Sequence, residues 1–467
     1  MADSTRRYSF HPLEKRGLLL GLDAAQILTL IAGLAAALIV GDAIPGSAGV
    51  AVASSVLGAA AAGALWPKGG HPLVTWLPVA AGWLTRRAQG PAISREPLGG
   101  VALKPAGLDL IELPAVPGQQ PLGVIRDRRS GTWAAVMPVR GRSFSLLDPE
   151  QQIQRLDAWR TVLAALARPG SPIKRVQWVE RSAMYADDLL GDDSHMPPPC
   201  DQAGGGAQVS YADLVAGVAP RTQTLDVWIV LSVDGSRGRV GHFRRPGEGL
   251  RRELRLLEGQ LRNADLQPEP PLGLPRLQSV LAGLHRTRKP GGPFGRAMPP
   301  WPMASDESWS SFRTDESWHA TYWIAEWPRV EVTPDFLTPL LVCGGRRTVS
   351  VTMAPVPADR AMREVRSART ADLADTELRD RAGFLPSARR AKEADGVTRR
   401  ESELAEGHAE FRFSGYVTIS ATDKESLDAA SAEAEHAAQA AHLELRRLFG
   451  RQAEAYSWTL PLARGLA

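Results

Sequence analysis

Two apolar stretches separated by a short turn constrain the fold of this chain more than any other feature. Residues 18–40 are apolar except for Asp23, Gln26 and Thr29, and residues 47–66 carry no charge. About 20 apolar residues in a helix span the ~30 Å hydrocarbon core of a bilayer. The sequence therefore predicts a transmembrane hairpin of two helices.

Small residues dominate the second stretch, above all at residues 58–63, which read Gly-Ala-Ala-Ala-Ala-Gly. Glycine and alanine let two helix backbones approach closely inside lipid. Two interpretations stay open here. The small residues either pack within the hairpin or form a contact surface for another membrane subunit.

Basic residues predict how the hairpin is oriented. They lie on both outer sides of the apolar pair and are missing from the turn: Arg6, Arg7, Lys15 and Arg16 precede it, and Lys68, Arg86 and Arg87 follow it. Lys and Arg accumulate on the cytoplasmic side of membrane proteins, so we expect two spans in the cell membrane and cytoplasmic termini. A signal peptide is the rival interpretation of the first stretch, but a second apolar stretch follows at once and no good small-residue cleavage site precedes it.

An amphipathic segment follows the hairpin. Its apolar residues recur every three or four positions and end at two arginines: Leu73, Trp76, Leu77, Ala80, Trp83, Leu84, Arg86 and Arg87. Tryptophan and arginine favour the headgroup region of a bilayer, which predicts an interfacial helix. The predicted membrane-interface residues are Trp66, Trp76, Trp83, Arg86 and Arg87. The alternative is an ordinary core helix.

The remainder reads as cytoplasmic α+β structure. Strand patterns occur at residues 108–113, 132–139 and 173–181, and Asp148 followed by Pro149 predicts the start of a helix. The predicted units are 1–89 (hairpin and interfacial helix), 100–195 and 207–290 (two α+β units), and 305–467 (a C-terminal α+β unit). The fold class is thus a membrane-anchored α+β protein.

The C-terminal unit has two distinctive parts. Residues 358–406 are highly charged with few apolar positions, which predicts a projecting helical hairpin, either solvated or docked to a partner. Residues 411–420 alternate apolar and polar side chains, which predicts a strand with one buried face. A capped helix and a further strand follow. This strand, helix, strand order echoes the first unit and suggests two related halves.

Known catalytic and metal-binding motifs are missing. None of the seven lysines follows a glycine, which excludes an ordinary P-loop, and no zinc-protease or nucleophile-elbow motif occurs. Cys200 and Cys343 match no zinc or disulfide spacing, and the aspartates at 187–193 lack regular ligand spacing. We therefore expect no enzyme activity, no cofactor and no metal. Nucleic acid is an unfavoured partner, since basic and acidic residues are interspersed.

Several short segments resemble known secretion proteins. The segment FHPLEKRGLLL at residues 10–20, with the hairpin after it, is similar to PrgI-like membrane subunits of conjugation and type IV secretion systems. SPIKRVQW at 171–178, WHATY at 318–322, WP at 327–328, GRQ at 450–452 and TLPL at 459–462 resemble the non-motor region of a secretion ATPase. Together they resemble an actinobacterial family in which the two parts are fused.

This resemblance implies a structural role. In the family's ATPase the Leu-Pro-Leu region precedes a P-loop motor, and no such motor follows it here. We expect a membrane scaffold whose partners are the lipid bilayer, a separate secretion ATPase, other membrane subunits and further copies of itself. Two alternatives remain: the two-span membrane subunit of a type VII secretion system, and a membrane-tethered enzyme.

Overall fold

Two apolar helices lead into a region built on one large antiparallel sheet. The computed structural model describes residues 10, 24–44, 46–65, 67–68, 71–72, 76–88, 92–93, 107–141, 144, 147–184, 223–235, 246–286, 299–381 and 388–466. The aspartates at 187–193 and Cys200 lie outside these residues. The helices of this part are α1 (Ala24–Ala43), α2 (Ser47–Leu65), α3 (Trp76–Ala88), α4 (Pro149–Leu166), α5 (Pro246–Asn263), α6 (Leu274–Leu284), α7 (Thr338–Val342), α8 (Ala358–Arg381), α9 (Ala388–Ala405), α10 (Lys424–Ala440) and α11 (Gln452–Thr459).

The strands of the same part are mostly short, with six longer ones at the centre of the sheet. They are β1 (Pro67–Lys68), β2 (His71–Pro72), β3 (Ala92–Ile93), β4 (Leu108–Leu113), β5 (Leu122–Asp127), β6 (Thr132–Arg140), β7 (Ile173–Met184), β8 (Gln223–Asp234), β9 (Gln267–Pro268), β10 (Ala304–Glu307), β11 (Phe312–Thr314), β12 (Ser317–Glu326), β13 (Arg346–Val356), β14 (Glu410–Ala421) and β15 (Glu444–Arg447). β1 and β2 form a separate pair.

The sheet repeats one connection pattern twice. Its order is β3-β10-β11-β12-β14-β13-β7-β8-β6-β5-β4, with β9 added to β6 and β15 added to β12. Outward from the central β7, the first half runs β7-β8-β6-β5-β4, and outward from β13 the second half runs β13-β14-β12-β11-β10. The two series correspond strand for strand, and β7 pairs antiparallel with β13. An approximate two-fold axis between these two strands therefore relates the two series. The strand, helix, strand order at both ends of the sequence belongs to this longer repeat.

This order joins the predicted α+β units. β8, from the predicted unit 207–290, lies between β6 and β7 of the unit 100–195, and β7 pairs with β13 of the unit 305–467. The three units therefore share one sheet. The boundaries predicted from the sequence therefore do not separate independent sheets.

Three apolar cores lie on the two faces of the sheet. α4 and α5 cover one face of the first half, with the leucines Leu250, Leu254, Leu257 and Leu261 buried as their spacing predicts. α7 and α10 cover the equivalent face of the second half. α6, α11 and the segment after α11 cover the opposite face. This third core spans both halves and ties the C-terminal end to the first series of strands.

The strand β14 departs from its prediction of one buried face. From Gly415 to Ser420 both faces are buried. The polar side chains on the second face have partners: Tyr416 donates to the Gly465 carbonyl at 2.6 Å, and Thr418 Oγ1 lies 2.8 Å from Thr459 Oγ1. Buried hydroxyl groups are tolerated when hydrogen-bonded, so a polar alternation does not by itself mark a solvent-facing side.

The charged hairpin forms as predicted. α8 and α9 pack on each other through a small core of Val365, Ala368 and Val397, with Leu404 beside it. Ion pairs reinforce the contact, including Arg369 to Glu401 at 2.6 Å. The pair lies between β13 and β14, so it is an insertion in the second half of the repeat. 

Candidate membrane anchor and its contact with the sheet

α1 and α2 approach each other closely through small residues. A Cβ atom built on Gly33 would lie 2.2 Å from Ala60 Cβ, which leaves no room for a side chain. Gln26, at the start of α1, donates from Nε2 to the Ala64 carbonyl at 2.8 Å. Gly33 and Ala60 therefore pack within the hairpin, and the Gln26 amide at its open end has a partner inside it. A Cβ atom built on Gly58 or Gly63 meets no atom within 4 Å, so a contact surface for another membrane subunit stays a prediction for these residues.

The outer surface of the hairpin is apolar and uncovered. Leu28, Leu38 and Ile39 are exposed over 68%, 67% and 69% of their surface. Only 11% of the apolar stretch of each helix is buried, whereas the core helix of a soluble domain is mostly buried. By length and composition both helices can cross a membrane. A soluble protein rarely leaves so large a continuous apolar surface in water.

The helix α3 contacts the sheet region through its two tryptophans. The ring of Trp83 meets that of Trp309 edge-on with centroids 5.3 Å apart, and Trp76 lies 6.1 Å from both Trp309 and Phe449. Such aromatic pairs add stability beyond the apolar area that they bury. Trp309 ends the segment Asp-Glu-Ser-Trp at residues 306–309, which recurs nine residues later at 315–318. The first copy of this motif therefore holds the helix that follows the hairpin.

An arginine fixes the other end of this contact. Arg86 Nε donates to Glu307 Oε2 at 2.9 Å, and its guanidinium also reaches the Gly450 carbonyl. Glu307 Oε1 accepts from the Ala453 amide at 3.1 Å, at the start of α11. Gly450 has φ +68°, and a Cβ atom there would lie 2.7 Å from the Trp309 ring. This position therefore requires glycine for both its backbone and its close contact.

An adjacent side of α3, about 100° around the helix from the two tryptophans, is exposed. Leu77 and Leu84 lie two turns apart and are exposed over 68% and 58% of their surface. Arg87 is exposed as well and lies over the Trp83 ring at 5.1 Å. α3 thus has one face on the α+β region and one apolar face outside it.

The structure places the predicted interface residues that it describes in different environments. Trp66 lies outside the described residues, and Arg87 is exposed. Trp76, Trp83 and Arg86 contact the α+β region, which the sequence could not indicate because their partners are more than 200 residues away. A role for all five at the membrane surface stays a prediction.

We expect Trp309→Ala to release α3 from the sheet. Removing this half-buried ring takes away the contacts of two tryptophans, at a cost of about 2 kcal/mol. That cost lowers the free energy of local opening and accelerates trypsin cleavage after Arg86 or Arg87 by roughly 30-fold. Limited proteolysis followed by mass spectrometry measures the rate.

The matched control is Trp318→Ala, in the second copy of the same motif. Trp318 lies against the second-half core and under Arg313 at 5.4 Å, and it has no ring contact with α3. It should lower overall stability without selective cleavage near α3. Equal cleavage at Arg86 and Arg87 in both variants would contradict the assignment.

Two buried histidines form the most unusual polar cluster of the described region. His319 Nε2 lies 2.8 Å from Thr314 Oγ1, and its Nδ1 lies 2.8 Å from Ser420 Oγ. The Tyr456 hydroxyl donates to the Leu284 carbonyl at 2.9 Å and lies 3.0 Å from His285 Nδ1. Burial lowers the pKa of His285 to about 3 and that of His319 well below its usual value.

These histidines lie inside the core, where they connect neighbouring elements. Both are almost completely buried, and neither lines the cavity between α6 and the sheet. Within the described ranges no three His, Cys, Asp or Glu residues converge as metal ligands. Comparison of the chain with protein-family models and with curated proteins finds no match. Its function must therefore be inferred from the residues themselves.

Proposed function

We propose that this chain is a structural membrane component whose hairpin anchors a cytoplasmic α+β scaffold. The observation that carries the proposal is an uncovered apolar hairpin followed closely in sequence by α3, which is held on the sheet by Trp309 and Glu307. Because α3 begins at Trp76 and the hairpin ends at Leu65, the short distance in sequence would keep this side of the scaffold near the membrane.

The proposed orientation places both termini and the scaffold in the cytoplasm. Basic residues flank the hairpin and its turn has none. The uncovered side of α3, with Leu77, Leu84 and Arg87, would then lie in the headgroup region.

The finer proposal is a conjugation-like, type IV-like secretion apparatus in which this scaffold docks a separate ATPase. Its support is the resemblance described above, whose segments meet in space. Gln177 of SPIKRVQW donates to the Leu460 carbonyl of TLPL at 2.9 Å. Gln452 of GRQ accepts from the Thr321 amide of WHATY at 2.8 Å. Thr418 joins Thr321 to Thr459 through their hydroxyl groups, so four of the five segments lie against one another. Trp327 of WP packs elsewhere, against Phe336 and Phe413.

The inserted α8–α9 hairpin is the proposed docking element. It extends from the sheet as an insertion, and its Leu373 is an exposed apolar side chain among charged neighbours. A small apolar anchor surrounded by charge is typical of a protein-binding surface.

The test is site-specific photo-crosslinking in intact membranes. A photoreactive residue at Leu373 should crosslink to a protein that carries a P-loop. The control is the same residue at Leu256 on α5, which is also an exposed leucine but lies on the first half. Small helical-hairpin cargo proteins among the products would instead favour the type VII alternative. A P-loop protein absent from the Leu373 products would contradict the docking proposal.

A further inference from the structure

An aromatic residue that precedes the hairpin packs on the second half of the sheet. Phe10 is half-buried, and its ring centroid lies 5.4 Å from that of Trp327, which directly follows β12. The ring of Phe336 is also 5.4 Å away, and the two ring pairs are inclined by 31° and 58°. Aromatic rings at such separations attract one another beyond the apolar area that they bury. Phe10 therefore has a defined position on the sheet region, although α1 begins only at Ala24.

Trp327, Phe336 and Phe413 form an aromatic pocket around this ring. Trp327 and Phe336 are 6.4 Å apart and pack against the second-half core, and Phe413 on β14 meets Trp327 edge-on at 5.3 Å. A Cβ atom built on Gly415 would lie 2.9 Å from the Trp327 ring, so glycine at this position leaves the space that the indole occupies. The aromatic pocket is thus built by folded elements of the sheet region, and Phe10 enters it from the N-terminal side of the hairpin.

The other flank of the hairpin is attached to the same half of the sheet, at a different level of β12. α3 lies against Trp309, whose carbonyl accepts from the Gly450 amide at 2.7 Å. The nearby Leu448 amide donates to the Thr321 carbonyl at 3.1 Å, so this contact lies beside Thr321 of β12. Trp327 follows Thr321 by six residues, which at ~3.3 Å per residue is roughly 20 Å along the strand. The two flanks of the hairpin therefore contact the sheet region at two separate points.

The open end of the hairpin lies between these two flanks in the chain. Gln26, in the first turn of α1, donates to the Ala64 carbonyl near the end of α2 at 2.8 Å. The contacts of Phe10 and of α3 therefore both connect this one end of the hairpin with the second half of the sheet. A single contact would leave the hairpin free to rotate about it, whereas two contacts roughly 20 Å apart resist that rotation.

We propose that the aromatic pocket binds the N-terminal segment of its own chain through Phe10, and that Phe10 and α3 together clamp the hairpin to the second half of the sheet. The aromatic pocket offers ring faces and edges, which suit an aromatic side chain. The clamp sets the angle between the hairpin and the sheet, and so holds the scaffold in one orientation to the bilayer. This consequence rests on the proposed membrane function. The contact itself does not, because it can form equally in detergent.

Photo-crosslinking tests the contact in the full chain, purified in a nonionic detergent. Benzoylphenylalanine at position 10 keeps an aromatic ring there and should crosslink to the tryptic peptides 314–329, 330–346 or 413–424, which carry the three pocket residues. The crosslinked chain should migrate as a monomer on a denaturing gel. A product of twice the chain mass would place a second copy in the aromatic pocket, and the absence of crosslinks to these three peptides would place Phe10 elsewhere. Either result overturns the proposal.

Trp327→Ala in the same photoreactive chain shows whether the aromatic pocket is specific. It should lower the crosslinking yield by about tenfold, because a direct ring contact of Phe10 and one wall of the pocket are lost together. The matched control is Trp323→Ala, an equal truncation on β12, where the indole donates to Ser414 Oγ at 3.1 Å. This control should leave the yield unchanged, and circular dichroism verifies that both variants fold. Equal loss in both would mean that the yield does not depend on the aromatic pocket and would overturn the site.

The distance between the hairpin and the sheet region gives the second measurement. Spin labels at Ala25→Cys on α1 and Glu425→Cys on α10, both exposed positions, are combined with Cys200→Ser and Cys343→Ser. Double electron–electron resonance should give a narrow distance distribution that broadens in Phe10→Ala and stays narrow in Phe10→Tyr, which keeps the ring. Equal widths in all three chains would overturn the clamp. Resistance to carbonate depends on the hairpin alone and should survive Phe10→Ala, so failure of the clamp and failure of the anchor are distinguishable.

Discussion

In a variant that lacks the Glu180 carboxyl, the free energy of unfolding of the α+β region should fall by about 4 kcal/mol between pH 7 and pH 5. Two buried histidines cause this loss. His285 and His319 are buried and neutral because desolvation lowers the pKa of each. The unfolded chain binds protons on both below pH 6.5, and the folded chain does not. The free energy of unfolding therefore falls as the pH falls, by about 2 kcal/mol for each histidine at pH 5.

Glu180 acts in the opposite direction. Burial raises the pKa of its carboxyl to about 7, although Arg347 nearby lowers it in part. The folded state then binds more protons than the unfolded state between about pH 4.5 and pH 7, so this group stabilises the fold as the pH falls. Its effect, about 2 kcal/mol between pH 7 and 5, offsets half of the histidine effect. Glu180→Gln removes the offset.

Urea denaturation followed by tryptophan fluorescence at pH 7, 6 and 5 measures these slopes. The unchanged chain should lose about 2 kcal/mol and the Glu180→Gln variant about 4 kcal/mol. Adding His285→Gln should remove about half of the latter loss. A pH-independent stability in the Glu180→Gln background would show that the histidines are accessible to protons in the folded state.

Local sequence signals predicted the elements well because each signal acts over a few residues. Asp423 at the start of α10 accepts from the Ser426 amide at 2.8 Å, as a capping residue should. The break between α8 and α9, the leucine stripe of α5 and the apolar hairpin follow from the same short-range rules. None of these patterns depends on the partners that the element finds in the fold.

Features that depend on sheet order could not be predicted. The cavity between α6 and the sheet is lined by residues 140, 181, 276, 286 and 346 among others, and their spacing in sequence has no pattern. They meet because β8 inserts between β6 and β7, and because β7 pairs with β13. The buried polar face of β14 likewise depends on α11 and the segment after it, whose contacting residues lie 41 and 49 positions later in the sequence. In the sequence, a polar side chain that is buried against a hydrogen-bonding partner looks the same as a polar side chain that faces water.

Deleting residues 1–66 should move the protein almost completely from the membrane fraction to the soluble fraction. The deletion removes both apolar helices and leaves α3 with the whole sheet. Each helix has enough apolar length to cross a bilayer, so the intact chain should resist extraction by alkaline carbonate, which removes peripheral proteins but not spanning helices. Near-ultraviolet circular dichroism of the shortened protein verifies that the sheet region remains folded.

The exposed side of α3 adds a weaker effect that separates the two anchors. Leu77, Leu84 and Arg87 remain in the shortened chain and should give partial, salt-sensitive binding to vesicles of anionic lipid. Leu77→Ser with Leu84→Ser should abolish this residual binding, while the same changes in the full chain should leave carbonate resistance intact. Two spanning helices would bury apolar surface in the bilayer along their whole length, whereas α3 would bury only one narrow side. Extraction of the full chain by carbonate would therefore exclude the two spans, and retention of the shortened chain after carbonate would place the anchor outside the hairpin.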